Sequence, residues 1–362
     1  MTTQSTDAKR LYNHVLGGLA GAGMGDALGA ATEQWHHTEI FAKFGGPLRS
    51  FQQPPPDTWS GAESNKLGQV TDDASQMFYL AHKLIECDGS LTHDDWVACL
   101  LQWADESPHV GNMGPTTRLV VQALKEGKDP NLVGCIGTSD RQPASHGATN
   151  GAAMRVAPAG LIHPGDLDAA CDTALITCIP SHSTQIAISS ACAIAAGVAH
   201  ALEEGADVFS VVKACLYGAR RGEDLAKEHG RIVPGPSILV RSELAVNLAL
   251  KAQSLPEAIK LIEDNIGNSV DACQSIPAAI GLFVFAQGDP LESIVGGTNI
   301  GNDTDTIAAI AGSLAGALRG VDAMPKDMFE TFWQANADDE FDINELAEGL
   351  TKIALNNQGG SS

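Results

Sequence analysis

The sequence predicts an all-α fold, a single compact domain of many helices over residues 8–355. Three observations lead there. Apolar residues return every three or four positions in one segment after another. No run alternates convincingly with a period of two, and no internal repeat or linker is visible. Glycine and alanine are abundant while aromatics make up only 5% of 362 residues, so many short side chains must pack closely.

Residues 1–7 are polar and are expected to fray. The helical pattern begins at Ala8 and carries Gly17, Gly21, Gly25 and Gly29, four residues apart and so on one face. A glycine costs about 1 kcal/mol in a helix interior relative to alanine, so such a ridge implies close approach by another backbone. Ile307–Gly320 carries Gly312, Gly316 and Gly320 at the same spacing, and the two smooth faces are expected to meet. His36 to Leu67 reads as a long irregular loop, because Pro54-Pro55-Pro56 forbids helix and Gly45-Gly46-Pro47 marks a turn. A loop this long suggests a lid or a binding loop. Thr71 or Asp72 can cap a helix over Ala74–Ile85, with Met77, Leu80, Ala81 and Leu84 as its apolar stripe. Helices follow at Trp96–Ala104, at Thr116–Lys125 behind Pro115, and at Ala152–Leu161. Further helices are expected at Leu167–Thr177, His182–Leu202, Val208–Ala219, Ser242–Ala252, Leu255–Ile266, Ser275–Ala286, Pro290–Val295, Met328–Ala335 and Ile343–Leu355. Pro180, Pro234-Gly235-Pro236 and Pro277 punctuate this series, and residues 356–362 read as a disordered tail.

A net charge of −22 disfavours nucleic-acid and anionic-membrane partners. Apolar runs such as Ala191–Ala201 are too short to span a bilayer, and Met1–Leu16 lacks the apolar stretch of a signal peptide. The eight cysteines form no C-x-x-C pair and read as reduced core residues, which fits a cytoplasmic protein. The eleven histidines show no zinc-site spacing.

Chemistry concentrates at Asn302-Asp303-Thr304-Asp305-Thr306, on a turn between the glycine-rich Gly296–Gly301 and a helix. Asp303 is a natural N-cap, but capping explains one carboxylate and not the second acid or the threonines. Thr71-Asp72-Asp73 stands in a similar setting far upstream. Brought together with Glu33, these acids would raise one another's pKa values unless a cation neutralised them. An oxygen-only ligand set favours Mg²⁺, Mn²⁺ or Ca²⁺ over zinc or copper. Two loops, Gly111-Asn112-Met113-Gly114 and His146-Gly147-Ala148-Thr149-Asn150-Gly151, precede helices and can offer bare N–H groups to an anion.

In combination, Gly25-Asp26-Ala27-Leu28-Gly29 with Glu33, Thr71-Asp72-Asp73, Asn150-Gly151-Ala152-Ala153-Met154-Arg155 and Gly301-Asn302-Asp303-Thr304-Asp305-Thr306 resemble the ADP-ribosylglycohydrolase family. The resemblance runs from about Leu11 to Gly320. It implies the orthogonal multi-helix fold of that family, a dinuclear Mg²⁺ or Mn²⁺ centre, and hydrolysis of a glycosidic bond to ADP-ribose. It implies that Thr71, Asp72, Asp73 and Asp305 hold one metal. Asp303, Asp305, Thr306 and Glu33 would hold or flank the other, with Asp305 bridging. Glu33 would be the general acid/base, ionised beside two cations. The loops Gly111–Gly114 and His146–Gly151 would take ribose and diphosphate, with His182 on the ligand side. The implied partner is ADP-ribose, an ADP-ribosylated protein or a smaller ribosyl compound. The nitrogenase-regulating branch carries an acid in the loop where this chain has Asn112-Met113-Gly114, so the leaving group, whether arginine, serine, acetyl or a small base, stays open. Two alternatives stay open: an N-ribosidase acting on a small nucleoside-like metabolite, and a retired, crystallin-like member. The intact acid set argues against retirement.

Overall fold

The computed structural model describes residues 2–135, 147–339 and 341–359. Among these residues there is no β-strand, and fifteen helices reach eight residues or more. Numbering those alone, they are α1 (Thr2–Gly29), α2 (His37–Phe44), α3 (Asp72–Glu86), α4 (His93–Glu106), α5 (Pro115–Lys125), α6 (Leu167–Cys178), α7 (Gln185–Ala201) and α8 (Val208–His229). The rest are α9 (Ile238–Lys251), α10 (Leu255–Asn265), α11 (Ala272–Phe285), α12 (Pro290–Asn299), α13 (Thr304–Arg319), α14 (Lys326–Ala335) and α15 (Ile343–Gly359).

The glycine ridges do meet. A methyl on Gly17 would lie 2.3 Å from Gly316 O, and one on Gly21 would lie 2.1 Å from Gly312 O. On Gly25 it would meet Ala308 O at 2.3 Å, and on Gly29 Thr304 O at 2.4 Å. Backbone therefore touches backbone along α1 and α13, and the register sets Gly29 against the first turn of α13. Thr304 Oγ1 donates to Gly29 O at 2.9 Å, which locks that register. From Thr304 to Leu318, α13 is buried on every side. Gly21→Ala should lower stability by about 2–3 kcal/mol, because overpacking against a backbone that cannot rotate away exceeds the roughly 1 kcal/mol gain in helix propensity. Gly114→Ala is the control, since a methyl there meets nothing within 4 Å. The measurement is the shift in urea midpoint. A Gly21→Ala protein as stable as the control would mean the helices do not touch at that turn.

Several boundaries differ from the sequence reading. The loop from His36 to Leu67 contains α2 and a single turn, Trp59–Ala62. The first turn of α2 is closed by a capping box in which Thr38 N donates to His36 Nδ1 at 3.3 Å and His36 N donates to Glu39 Oε2 at 3.0 Å. The helix stops at Gly45 in the left-handed region. Ala152–Leu161 is not one helix. A 3₁₀ turn at Asn150–Ala152 and a short helix at Ala157–Leu161 replace it, because Asn150 is tied into the site described below. The glycines Gly296 and Gly297 lie inside α12, packed against Leu282 and Ala308. Pro277 lies inside α11, and the Cys273 carbonyl, whose helical donor it removes, accepts from Arg241 Nη1 at 3.1 Å. At the ends, α1 starts at Thr2 rather than Ala8, and α15 runs to Gly359 rather than Leu355. The last turns of α15 are pinned by Asn357 Nδ2, which donates to Ile162 O at 2.7 Å. No helix among the described residues is long and apolar enough to cross a membrane. All eight cysteines are free thiols, six of them buried and Cys87 and Cys135 half-buried.

Candidate active site

The N-termini of α3 and α13 open into one cleft of ≈ 360 Å³. Thr71 caps α3, its Oγ1 accepting from Asp73 N at 3.4 Å. Asp26, from the last turn of α1, caps the same helix from outside. Its Oδ2 accepts from Thr71 N at 2.9 Å and Ala74 N at 3.0 Å. Asp303 occupies the N-cap position of α13, yet its side chain makes no cap bond, contrary to the capping expectation. Instead its Oδ2 accepts from Asn150 Nδ2 at 2.5 Å. Asn150 is itself held, its side chain donating to Ser275 Oγ at 3.0 Å and its backbone N to Val270 O at 3.0 Å. Asp305 Oδ1 accepts from Thr306 N at 3.0 Å.

Of the residues expected from sequence, Glu33, Asp72, Asp73, Asn112, Gly114, Thr149, Asn150, Gly151, His182, Asp303, Asp305 and Thr306 line this cleft. Gly111, Met113, Gly147 and Thr71 do not. Gly111 packs against the Glu63 side chain, Met113 is buried, and Gly147 turns at φ +69° against Gly134 O. The expected His146 lies outside the described residues. His182 is buried, with Nε2 3.1 Å from Thr149 Oγ1. Burial, then the charge of Arg155, holds it well below the usual imidazole range, so it is neutral. The cleft also takes in Trp59, Thr116, Thr117, Leu119, Val270 and Asp271, which sequence reasoning did not single out. Asp26 was missed as a site residue too. Its signal was present: an acid inside a glycine ridge on a helix that faces another backbone.

The acids raise one another's pKa values, as expected for a site without a cation, but burial is the larger cause. Burial and then Asp305 push Asp26 up to about 7. The same two causes, in the same order, hold Glu33, Asp72, Asp73 and Asp303 well above the ordinary carboxylate range. Asp305 is itself raised by burial, with backbone N–H groups opposing. For Glu33 the protein's own groups favour the neutral form, and the expected ionised state is the one two flanking cations would impose. Two carboxylate oxygens, Asp26 Oδ1 and Asp73 Oδ2, are buried without a hydrogen-bond partner. Asp73 Oδ2, buried and orphaned in a cleft whose polar lining is mostly carboxylate and hydroxyl oxygen, is the kind of atom a hard cation satisfies, so the residue types present fit Mg²⁺ or Mn²⁺. A separate group, His36, His37 and Glu263, lies outside this cleft. There Glu263 Oε2 is 2.8 Å from His37 Nδ1 and Oε1 is 3.3 Å from His36 Nε2. Adjacent histidines carry no zinc-site spacing, so this cluster becomes visible only once Glu263 is packed beside them.

The polar lining of the cleft is mainly carboxylates and threonine hydroxyls, groups suited to acid–base chemistry. Comparison with known proteins sharpens the class. The ADP-ribosylglycohydrolase family model matches residues 7–359. The chain is 29% identical to the uncharacterised protein YegU of Escherichia coli K12, over 93% of this chain and 96% of that one. It is 28% identical to the ADP-ribosyl-dinitrogen reductase glycohydrolase of Rhodospirillum rubrum, over 87% and 88%. It is 24% identical to the ADP-ribosylhydrolase ARH3 of Homo sapiens, over 96% and 95%. A solved ADP-ribosylglycohydrolase-related protein complex shares the fold at a TM-score of 0.67 and 22% identity, covering 96% of this chain and 99% of that one. The chain belongs to the ADP-ribosylglycohydrolase family, and it is a hydrolase of glycosidic bonds.

Proposed function

We propose that the protein cleaves the glycosidic bond between ADP-ribose and a protein side chain or small leaving group, in a reaction that depends on divalent ions. The observation that supports this most directly is the set of buried carboxylates Asp72, Asp73, Asp303 and Asp305 sharing one cleft with Glu33, with Asp73 Oδ2 orphaned there. Asp72, Asp73, Asp303, Asp305 and Thr306 would hold two Mg²⁺ or Mn²⁺ ions. When bound, the ions supply electrostatic stabilisation of developing negative charge. Glu33, which lines the cleft, would move a proton to the leaving atom or from the attacking water. Asn150 holds Asp303 in place, and the neutral His182 together with Thr149 offers hydrogen bonds to the sugar or diphosphate.

The test is product analysis with and without EDTA. Release of ADP-ribose from ADP-ribosylated protein, dependent on Mg²⁺ or Mn²⁺, is the expected result. Release of free base from nucleosides alone would select the N-ribosidase reading. Neither activity in a folded, ion-loaded protein would overturn the proposal. A second measurement needs no substrate. An ion bound only to the native state at 100 times its Kd stabilises by about 2.7 kcal/mol. Millimolar Mn²⁺ added to EDTA-stripped protein should therefore raise Tm by about 5 °C. A flat response would count against an ion site in this cleft.

A further inference from the structure

Arg155 is the one lysine or arginine fully buried among the described residues. It bonds to no carboxylate. Its Nη1 donates to Gln76 Oε1 at 2.7 Å, and its Nη2 donates to Ser181 Oγ at 2.7 Å and Thr177 O at 3.3 Å. The guanidinium lies over the Trp96 ring, 5.0 Å from its centroid. Gln76, also fully buried, donates from Nε2 to Asp72 Oδ2 at 3.0 Å.

The direction of this chain is forced. A guanidinium can only donate, so the end of the Gln76 amide that faces it must be the carbonyl. The other end of the amide can only donate, so the Asp72 oxygen facing it must accept. A buried side chain that fixes one oxygen of a carboxylate restricts how the other can be presented. We propose that Arg155 is a positioning residue that acts through Gln76 to lock Asp72 Oδ2 as an acceptor, leaving the other Asp72 oxygen to a divalent ion. The relay sets ion affinity without touching the ion. Its other arm holds Ser181, next to His182, so the same guanidinium ties the acid side of the cleft to the imidazole side. This inference rests on the divalent-ion reading above.

The experiment uses the full chain and two readouts, calorimetric Mn²⁺ affinity and the melting temperature in EDTA. Gln76→Met keeps the volume and removes the link. It should weaken Mn²⁺ binding by about 10–100-fold, the usual effect of losing a group that orients a metal ligand. The melting temperature in EDTA should fall too, because Arg155 Nη1 loses its acceptor, so the affinities are compared well below both melting points. Adding Arg155→Met to Gln76→Met should change the affinity by less than about twofold more, since groups in one chain are not additive. Arg155→Lys keeps the charge and loses the fork. It should also lose at least about tenfold, and it decides the matter if Arg155→Met fails to fold. Wild-type affinity in Gln76→Met, full retention in Arg155→Lys, or additive losses in the double variant would each overturn the relay. A wild-type chain that binds no Mn²⁺ would remove the divalent-ion reading and the relay with it. A wild type that binds Mn²⁺, beside an unaffected Gln76→Met, would remove the relay alone.

Discussion

Glu33→Gln should bind ADP-ribose with near-normal affinity and turn over about 10²–10⁴-fold more slowly, the usual worth of a positioned acid–base group. Glu33 lies just past the end of α1, half-buried, and lines the cleft beside Asp303 and Asp305. Glutamine preserves its shape and removes only the proton it can exchange. Burial and then Asp305 favour the neutral carboxyl while the site holds no cation. A bound divalent ion opposes both effects and favours the carboxylate. The protonation of Glu33 and ion occupancy are therefore linked: more ion should move the acidic limb of the pH–rate profile to lower pH. The measurements are calorimetric binding of ADP-ribose and hydrolysis at saturating substrate. Unchanged turnover in the Gln variant would take Glu33 out of the mechanism.

Asp305→Asn should abolish ion binding and hydrolysis while leaving the helical spectrum intact. Asp305 is the largest neighbouring charge acting on Asp26, Glu33, Asp72, Asp73 and Asp303. Its removal also makes a prediction about the ion-free protein. Each of these carboxyls has a folded pKa raised above its unfolded value. The stability each contributes is fully present below that unfolded value, near pH 4, and is lost as pH rises through the folded value. For Asp26 that value is about 7. In EDTA, the wild-type Tm should therefore fall as pH rises from 5 to 8, and it should fall less steeply in Asp305→Asn. Parallel curves for the two proteins would mean that Asp305 does not govern the charge of the site. Loss of fold in the variant, with a wild type indifferent to ions, would reduce the acids to structural caps.

Much of the frame could be read in the sequence because its strongest signals are local. Four-residue glycine spacing fixes a helix face, and a matching ridge elsewhere names a partner of equal smoothness, which is why the contact between α1 and α13 was accessible. Other features depended on partners far along the chain. The short helix α2 is capped by His36, a residue type that carries no capping signal of its own. Residues 152–161 have a helical pattern, yet Asn150 is committed to Asp303, Ser275 and Val270, and the chain there turns instead. Pro277 reads as a helix breaker until Arg241 is seen to satisfy the carbonyl it strands. In the site, the paired acid clusters stood out as motifs. Asp26 did not, because its role as a cap for another helix exists only once α1 and α3 are packed.

The seam between α1 and α13 also dictates when the enzyme can come into being. Thr304 Oγ1 and Gly29 O, bonded across that seam, are 275 positions apart in the chain. A ribosome adding about 5–20 residues per second takes roughly 14–55 s to cover that distance. During that interval α1 has five interior glycines, each costing about 1 kcal/mol, and no opposite backbone to offset those of the ridge. It is therefore a poor helix until α13 emerges. Asp26 and Glu33 belong to the early part of the chain, and Asp303 and Asp305 to the late part. The nascent protein thus cannot gather its full set of acids until nearly the whole chain has been made.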